Sequence, residues 1–245
     1  MKLAAVIPAR LNSTRLPNKL LKDICGKSLI VRTYESTFNS KIFNQVLVVT
    51  NSKEICLELE LHNINYIYKD AEYETGTDRI AAIADEIEAD IIINVQGDEP
   101  FIKTKTLNNI IKVFKNDKNK SVDVVSVMSK INEKEIKDPN NVKVVVDSEN
   151  NAIYFSRHPI PFDRDNNGKE SFKHIGVYAF RKKALINFSN LPKGKLEEIE
   201  KIEALRLIEN QINIKMIYSE EIFVGIDTGQ DLEKAIKIIS EKDSL

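Results

Sequence analysis

Along the first hundred residues the apolar positions follow two alternating patterns. LAAVIP (3–8), VLVVT (46–50) and DIIINV (90–95) are short runs rich in Val and Ile with no polar alternation, as in strands covered on both faces of a parallel sheet. Between them apolar residues recur at helical spacing: Leu29, Ile30, Tyr34 and Phe38 with Thr33; then Ile55, Leu59 and His62; then Ile80, Ile83, Ala84 and Ile87. This order predicts a βαβ series with helices on both faces of the sheet and ligands at the carboxyl ends of the strands. The loops at those ends are 9–19, 70–79 and 96–100.

After a helix expected over 104–115 the pattern changes. SVDVVSVMS (121–129), VKVVVD (142–147), AIYFSR (152–157) and HIGVYAF (174–180) follow one another with little helix between them, which predicts antiparallel or mixed pairing. FDRDNNGKES (162–171) reads as an exposed loop. Helical spacing returns in LEEIEKIEALRLIEN (196–210), with Leu196, Ile199, Ile202, Leu205 and Leu207 or Ile208 on the buried side. Strands at 212–219 and 222–227 and a helix over 230–241 complete the expected elements. No repeat, low-complexity tract or linker interrupts the pattern, so 1–245 is taken as one α/β domain, with 121–180 as a β-rich subregion.

Composition narrows the chemistry. Lys plus Arg number 36 against 37 for Asp plus Glu, so the chain lacks the broad positive field that nucleic acids or anionic membranes call for. Two cysteines, Cys25 and Cys56, make neither a disulfide framework nor a CxxC pair, and three histidines offer little to a metal. The opening apolar stretch is too short for a signal segment, and no later run approaches the roughly 18 apolar residues of a membrane span. A cytoplasmic protein without nucleic-acid or membrane partners is expected.

Within this balanced chain the first loop, ARLNSTRLPNK, stands out because Arg10, Arg15 and Lys19 are set at nearly even spacing. Such cations, with main-chain N–H groups leading toward a helix start, suit a polyphosphate; a solvated basic loop is the plain alternative. Neither G-x-G-x-x-G nor G-x-x-x-x-G-K-[ST] is present, which argues against a dinucleotide dehydrogenase and a P-loop NTPase. Asp98 in QGDEP and Asp227 in GIDT each follow an expected strand. They read either as helix N-caps or as carboxylate ligands for a hard cation such as Mg²⁺, and spacing alone favours the cap for Asp227. TGTDR (75–79) likewise reads as a turn with Thr75 or Thr77 capping a helix over 78–88.

Taken together, IPARLNSTRLPNKLLKDICGKSLI, TGTDR, VQGDEP, NNVKVVVD, YFSR, IPFDRD, HIGVYAF, LEEIEKIEALR and VGIDTGQDLEKA resemble, in order and over nearly the whole chain, the 3-deoxy-manno-octulosonate (Kdo) cytidylyltransferase family. The resemblance implies a single-domain Rossmann-like nucleotidyltransferase fold, a mostly parallel central sheet with a mixed, β-rich subregion, and a homodimer. It implies Mg²⁺-dependent transfer of a cytidylyl group from CTP to the anomeric hydroxyl of an acidic 3-deoxy sugar, for lipopolysaccharide biosynthesis. Asp98 and Asp227 would then hold Mg²⁺, and Arg10, Arg15 and Lys19 the phosphates, with Arg10 and Lys19 catalytic beside the two aspartates. Pro8, Ala9, Thr75, Gly76, Thr77, Arg79 and Gln96 would meet the nucleotide. Arg157, Arg164, His174, Tyr178 and Glu203 would meet the sugar, although taken singly Tyr178 reads as core and Glu203 as a helical surface charge in i, i+3 contact with Arg206.

Three segments depart from the family pattern, at four positions. Ala204 stands where the family commonly has Gln, Glu198 where it has His, and DTGQDL (227–232) where it has DTPEDL. The missing amide beside Glu203 raises a related acidic sugar, such as 8-amino-Kdo, as a second candidate acceptor. A cytidylyltransferase for a nonulosonic acid, or a nucleotide-binding module without turnover, is also compatible with the chain.

Overall fold

A computed structural model describes residues 1–165, 170–221 and 223–243. The chain divides into two compact units, 1–104 with 222–245, and 105–221. The division falls where the hydrophobic pattern changes.

In the first unit β1 (Leu3–Ala9) is flanked by β2 (Gln45–Thr50) and β4 (Ile91–Asn94), with β3 (Tyr66–Tyr68) beyond β2, and every pairing is parallel. A strand with neighbours on both edges and helices packed against it has no wet face. Every residue of β1 is accordingly buried, which explains its unbroken apolar run, and every residue of β4 is buried as well. Three helices connect the strands: α1 (Leu29–Phe38), α2 (Lys53–Leu61) and α3 (Gly76–Ala81). Where the spacing predicts one helix over 78–88, α3 ends at Ala81 and a single 3-10 turn follows over Ala84–Glu86. Ile80, Ile83, Ala84 and Ile87 are nevertheless all fully buried, so the periodicity reports the face correctly and the helix length incorrectly.

The segment 223–227 is not a strand, contrary to expectation, and Ile222 lies outside the described residues. It is tied by a hydrogen bond from Ile226 N to Asp98 O, 3.0 Å, and leads into α9 (Gly229–Asp243). The N-terminal cap of α9 is Thr228, whose hydroxyl oxygen accepts from Asp231 N at 3.3 Å while the Asp231 carboxylate accepts from Thr228 N at 3.0 Å. The cap therefore lies one residue beyond the aspartate that spacing favours, leaving the Asp227 side chain for other work.

The second unit begins within α4 (Thr104–Asn116) and holds β5 (Val124–Ile131), α5 (Glu133–Ile136), β6 (Lys143–Val146), β7 (Ala152–Ser156), β8 (Ser171–Arg181), α6 (Lys182–Phe188), α7 (Lys195–Glu200), α8 (Ala204–Glu209) and β9 (Ile214–Tyr218). Pairing is mixed: β5 is antiparallel to β8 and parallel to β9, and β6 is antiparallel to both β7 and β8. Of the loop expected over 162–171, residues 162–165 are irregular, 166–169 lie outside the described residues, and Ser171 already belongs to β8.

The single helix expected over 196–210 is two, broken at Lys201, which takes a left-handed φ of 54°. Arg157 braces the break: its Nε donates to the carbonyl of Glu200 at 2.8 Å and its Nη2 to that of Lys201 at 3.3 Å. The break turns Ile199 outward, 77 % exposed, although the helical pattern assigns it to the core. In its place Glu197 is buried, forming a bidentate pair with Arg206 (2.7 and 2.8 Å) beneath Phe188, whose ring centre is 4.4 Å from the guanidinium carbon. Burying such a pair stabilises little on balance, but removing one member strands a buried charge. Arg206→Met or Glu197→Leu is expected to lower unfolding free energy by about 3–5 kcal/mol, and the double variant by less than either. Urea titration followed by circular dichroism checks this; single-variant losses below about 1 kcal/mol would contradict it.

Candidate active site

The carboxyl ends of β1 and β4 carry a compact set of charges. Asp98 lies on the turn after β4, with no helix for it to cap, and Asp227 precedes the α9 cap. Between their carboxylates sits the Lys19 ammonium, 2.5 Å from Asp98 and 2.9 Å from Asp227, and the Arg15 guanidinium is 3.0 Å from the second Asp227 oxygen. Burial alone would lower the lysine pKa, but attraction to Asp98 and Asp227 prevails and raises it. Lys19 is thus firmly protonated. The backbone supports this placement: Lys19 N donates to Ser13 Oγ at 3.3 Å, and the Ser13 hydroxyl donates to the Leu16 carbonyl, folding the loop back on itself.

The donor set suits a hard divalent ion. Two carboxylates converge on one cation, and Mg²⁺ takes one or two carboxylates together with phosphate and water. Among the described residues no group of three or more His, Cys, Asp or Glu side chains is arranged for a metal, so protein carboxylates alone do not complete such a shell.

Arg10 goes elsewhere. It lines a cavity of about 310 Å³ past the ends of β1 and β2, together with Asn12, Asn51, Ser52, Tyr73 and Arg79. Arg79 is 4 % exposed, and its Nη1 has no hydrogen-bond partner among the described residues. Burial lowers its pKa, with the nearby Arg10 charge acting in the same direction; its guanidinium carbon lies 5.2 Å from the centre of the Tyr73 ring. A buried guanidinium with an orphaned nitrogen in a cavity is a group prepared for an acceptor.

Beside it, Thr75 caps α3 by accepting from Asp78 N at 3.1 Å, so that Thr has a structural task. Thr77 is buried and accepts from Asn94 Nδ2 at 3.0 Å, and Asn94 Oδ1 accepts from Gln96 Nε2 at 3.1 Å. Gly76 allows the approach: a Cβ there would stand 3.0 Å from the Pro8 ring and 3.3 Å from Gln96 Oε1. Pro8, Gly76, Thr77 and Gln96, far apart in sequence, form one patch next to Ala9 and Arg10.

In the second unit His174 and Tyr178 lie side by side on β8, ring centres 5.1 Å apart, with Phe155 edge-on to His174 at 5.0 Å. Burial pushes the His174 pKa down to about 3, so the ring is neutral at physiological pH. Burial and the Glu203 carboxylate both hold the Tyr178 phenol protonated. His174, Tyr178 and Glu203 therefore form one neutral-and-anionic group. No described contact joins Arg157 or Arg164 to it. Arg164 is exposed, and Arg157 commits a third N–H to the carbonyl of Pro139 at 2.9 Å.

Two residues of this unit are not among the expected site residues. Lys143, in NNVKVVVD, is fully buried, and its ammonium donates to the carbonyls of Asp138 (3.1 Å), Asn141 (2.7 Å) and Arg157. Burial lowers its pKa. A lone Lys inside an apolar strand is the available signal. Ser126 is fully buried on β5 and bonded to His174; nothing in SVDVVSVMS distinguishes it.

Known proteins resemble this chain over nearly its whole length. The family model described as Cytidylyltransferase matches residues 4–220. A 3-deoxy-manno-octulosonate cytidylyltransferase of Flavobacterium johnsoniae is 48% identical over 96% of this chain and 97% of its own, and one of Christiangramia forsetii is 44% identical over 98% and 97%. Among solved structures, CMP:2-keto-3-deoxy-manno-octonic acid synthetase complexed with CTP superposes with a TM-score of 0.92 at 35% identity, covering 99% of this chain and 100% of that one. A more distant likeness, HddC from Yersinia pseudotuberculosis (TM-score 0.70, 17% identity, 96% and 99% covered), shares the fold. Matched by the family model over residues 4–220 and by relatives 44–48% identical over nearly its whole length, the chain belongs to the cytidylyltransferase family, among the 3-deoxy-manno-octulosonate cytidylyltransferases.

Proposed function

We propose that this chain activates Kdo by transferring the cytidylyl group of CTP to it. The anomeric hydroxyl oxygen of the sugar attacks the α-phosphorus and loses its proton, the bond to the β-phosphate bridging oxygen breaks, and CMP-Kdo and pyrophosphate result. The observation that carries this reading is the Lys19 ammonium held between Asp98 and Asp227 beside Arg15. An anion must attack an anion here, and a site that brings two carboxylates and two cations to one strand end can bind a metal–polyphosphate.

In this reading Asp98 and Asp227 would hold Mg²⁺, which would supply neutralisation of the phosphate charge. Lys19 keeps the carboxylates together until the nucleotide arrives, then donates with Arg10 and Arg15 to the phosphate oxygens as pyrophosphate leaves. Arg79 offers its unpaired N–H groups to acceptors of the nucleotide, and Thr77, Gly76 and Gln96 shape the patch that Pro8 and Ala9 adjoin; Thr75 acts through the α3 cap. The sugar carboxylate falls to Arg164 and to the two N–H groups of Arg157 without a described bond. His174, Tyr178 and Glu203 take sugar hydroxyls.

No helix among the described residues is long and apolar enough to cross a membrane, and both cysteines are free; a cytoplasmic enzyme supplying lipopolysaccharide assembly accords with both. The homodimer belongs to the same reading, supported by Ile153 and Phe162 in the stretch 121–180, 56 % and 88 % exposed.

Three outcomes are expected. Pyrophosphate release from CTP and Mg²⁺ should depend on Kdo, with kcat/KM for Kdo above that for 8-amino-Kdo; a clear preference for the amino sugar, or no release with either, would contradict the acceptor assignment. Asp98→Asn and Asp227→Asn should each lower turnover by about a thousandfold, the scale of losing a charge-stabilising group, with unchanged circular dichroism; near-normal rates in both would remove the metal assignment. Arg79→Met, which deletes a buried group lacking a full set of partners, should leave Tm unchanged or higher while raising KM for CTP about tenfold or more. A falling Tm with KM unchanged would make Arg79 a structural residue.

A further inference from the structure

The pairing of β5 with β8 slips at one place. Ser126 lies opposite Tyr178 and Val127 opposite Ile175, so Gly176 and Val177 have no partner of their own on β5. In an even strand two residues four apart are separated by about 13 Å. The slip instead brings the His174 and Tyr178 rings to 5.1 Å, as a bulge re-aims side chains. It also turns two groups of β8 onto one hydroxyl of β5: Ser126 Oγ donates to the Val177 carbonyl at 2.8 Å and lies 2.9 Å from His174 Nε2.

Those two bonds determine where the imidazole proton sits. A serine hydroxyl has one proton, and a carbonyl oxygen only accepts. With that proton committed to Val177, Ser126 Oγ must accept from the ring, so Nε2 carries hydrogen. In a neutral imidazole Nδ1 is then a bare lone pair. Among the described residues no hydrogen bond reaches Nδ1, His174 as a residue is half-buried, and this nitrogen is not among the sealed, unpartnered polar atoms.

We propose that Ser126 is a positioning residue for the acceptor substrate: it holds His174 as the Nε2–H tautomer, presenting Nδ1 as a hydrogen-bond acceptor to a hydroxyl of the sugar acid. This rests on the reading of His174 as part of the sugar site and makes it more specific. A lone pair attracts a hydroxyl proton and repels a carboxylate, so His174 reads the polyol face of the sugar and leaves its anionic group to the arginines. The β5–β8 slip, the buried Ser126 and the Val177 carbonyl together form the device, and the hydroxyl of Ser126 need never touch substrate.

The test joins spectroscopy to kinetics on the full chain. Long-range ¹H–¹⁵N spectra of the imidazole, recorded without ligands, should show His174 with Nε2 protonated and Nδ1 bare. Ser126→Ala should give a mixture of tautomers and raise KM for Kdo about tenfold, the worth of one hydrogen bond, with KM for CTP within about twofold; Ser126→Thr, which keeps the hydroxyl, should restore both. A proton on Nδ1 in the parent protein overturns the proposal, as does a Ser126→Ala variant whose tautomer and KM values are unchanged. Equal rises in KM for CTP and Kdo would reduce Ser126 to a packing residue. A shifted tautomer with unchanged KM for Kdo would remove the link to substrate. Failure of the parent protein to make CMP-Kdo would instead overturn the activity, and with it the identity of the hydroxyl, while the spectra decide the tautomer independently.

Discussion

One ammonium between two carboxylates organises the rim at the carboxyl ends of β1 and β4. Lys19 reaches Asp98 across 79 residues of sequence and Asp227 across 208, tying together the loop after β1, the turn after β4 and the returning segment before α9. Without a cation the two carboxylates would repel; unit charges about 4 Å apart interact by about 4 kcal/mol at an effective dielectric of 20. The same repulsion makes the place attractive to a divalent ion and the freed cations attractive to phosphate. Its own side chains neutralise the site. This is how a chain with nearly balanced charge can still assemble a strong local field.

The second unit solves a different problem. On the proposed reading it meets a sugar acid, which offers hydroxyls more than charge, and the groups gathered here are a neutral imidazole and a protonated phenol on β8 with the Glu203 carboxylate beside them, not further cations. Depth keeps the imidazole and phenol in these states: burial disfavours both the imidazolium and the phenolate. Order comes from backbone irregularity. The slip on β8 sets the rings side by side, and the left-handed Lys201, braced by Arg157, sets the junction of α7 and α8 from which Glu203 projects. Lys143 holds the carbonyl of Arg157 from the other side. Charged side chains here act largely as internal hydrogen-bond donors to backbone, where an apolar residue would leave carbonyls unsatisfied.

Much of this is legible in the residues. Strands buried on both faces announce themselves by unbroken Val and Ile, so β1, β2 and β4 are readable to within about two residues, the ordinary uncertainty of such boundaries. β3, three partly exposed residues at the margin of its unit's sheet, leaves almost no pattern. The break at Lys201 is hidden because the apolar spacing continues through it; the guanidinium that braces it comes from 44 residues away, a tertiary contact that no local window contains. Asp227 resembles a cap because any Asp before Thr-Gly does, and only the reciprocal Thr228–Asp231 bonds settle which residue caps. The cations of the first loop stand out in the sequence as a group, yet they divide: Arg15 and Lys19 turn to carboxylates and Arg10 to the cavity with Arg79. Ser126 is invisible there, since a serine matters at that place only through a slip in register.

If the carboxylates clamped by Lys19 are a metal–phosphate site, a divalent ion must be able to displace the ammonium. Crystals grown with Mn²⁺ and a non-hydrolysable CTP analogue test this through the anomalous signal of manganese. The expected result is a peak in contact with both Asp98 and Asp227, with the Lys19 ammonium moved onto a phosphate oxygen. A peak away from these carboxylates, or Lys19 still bridging them beside a bound nucleotide, would contradict it.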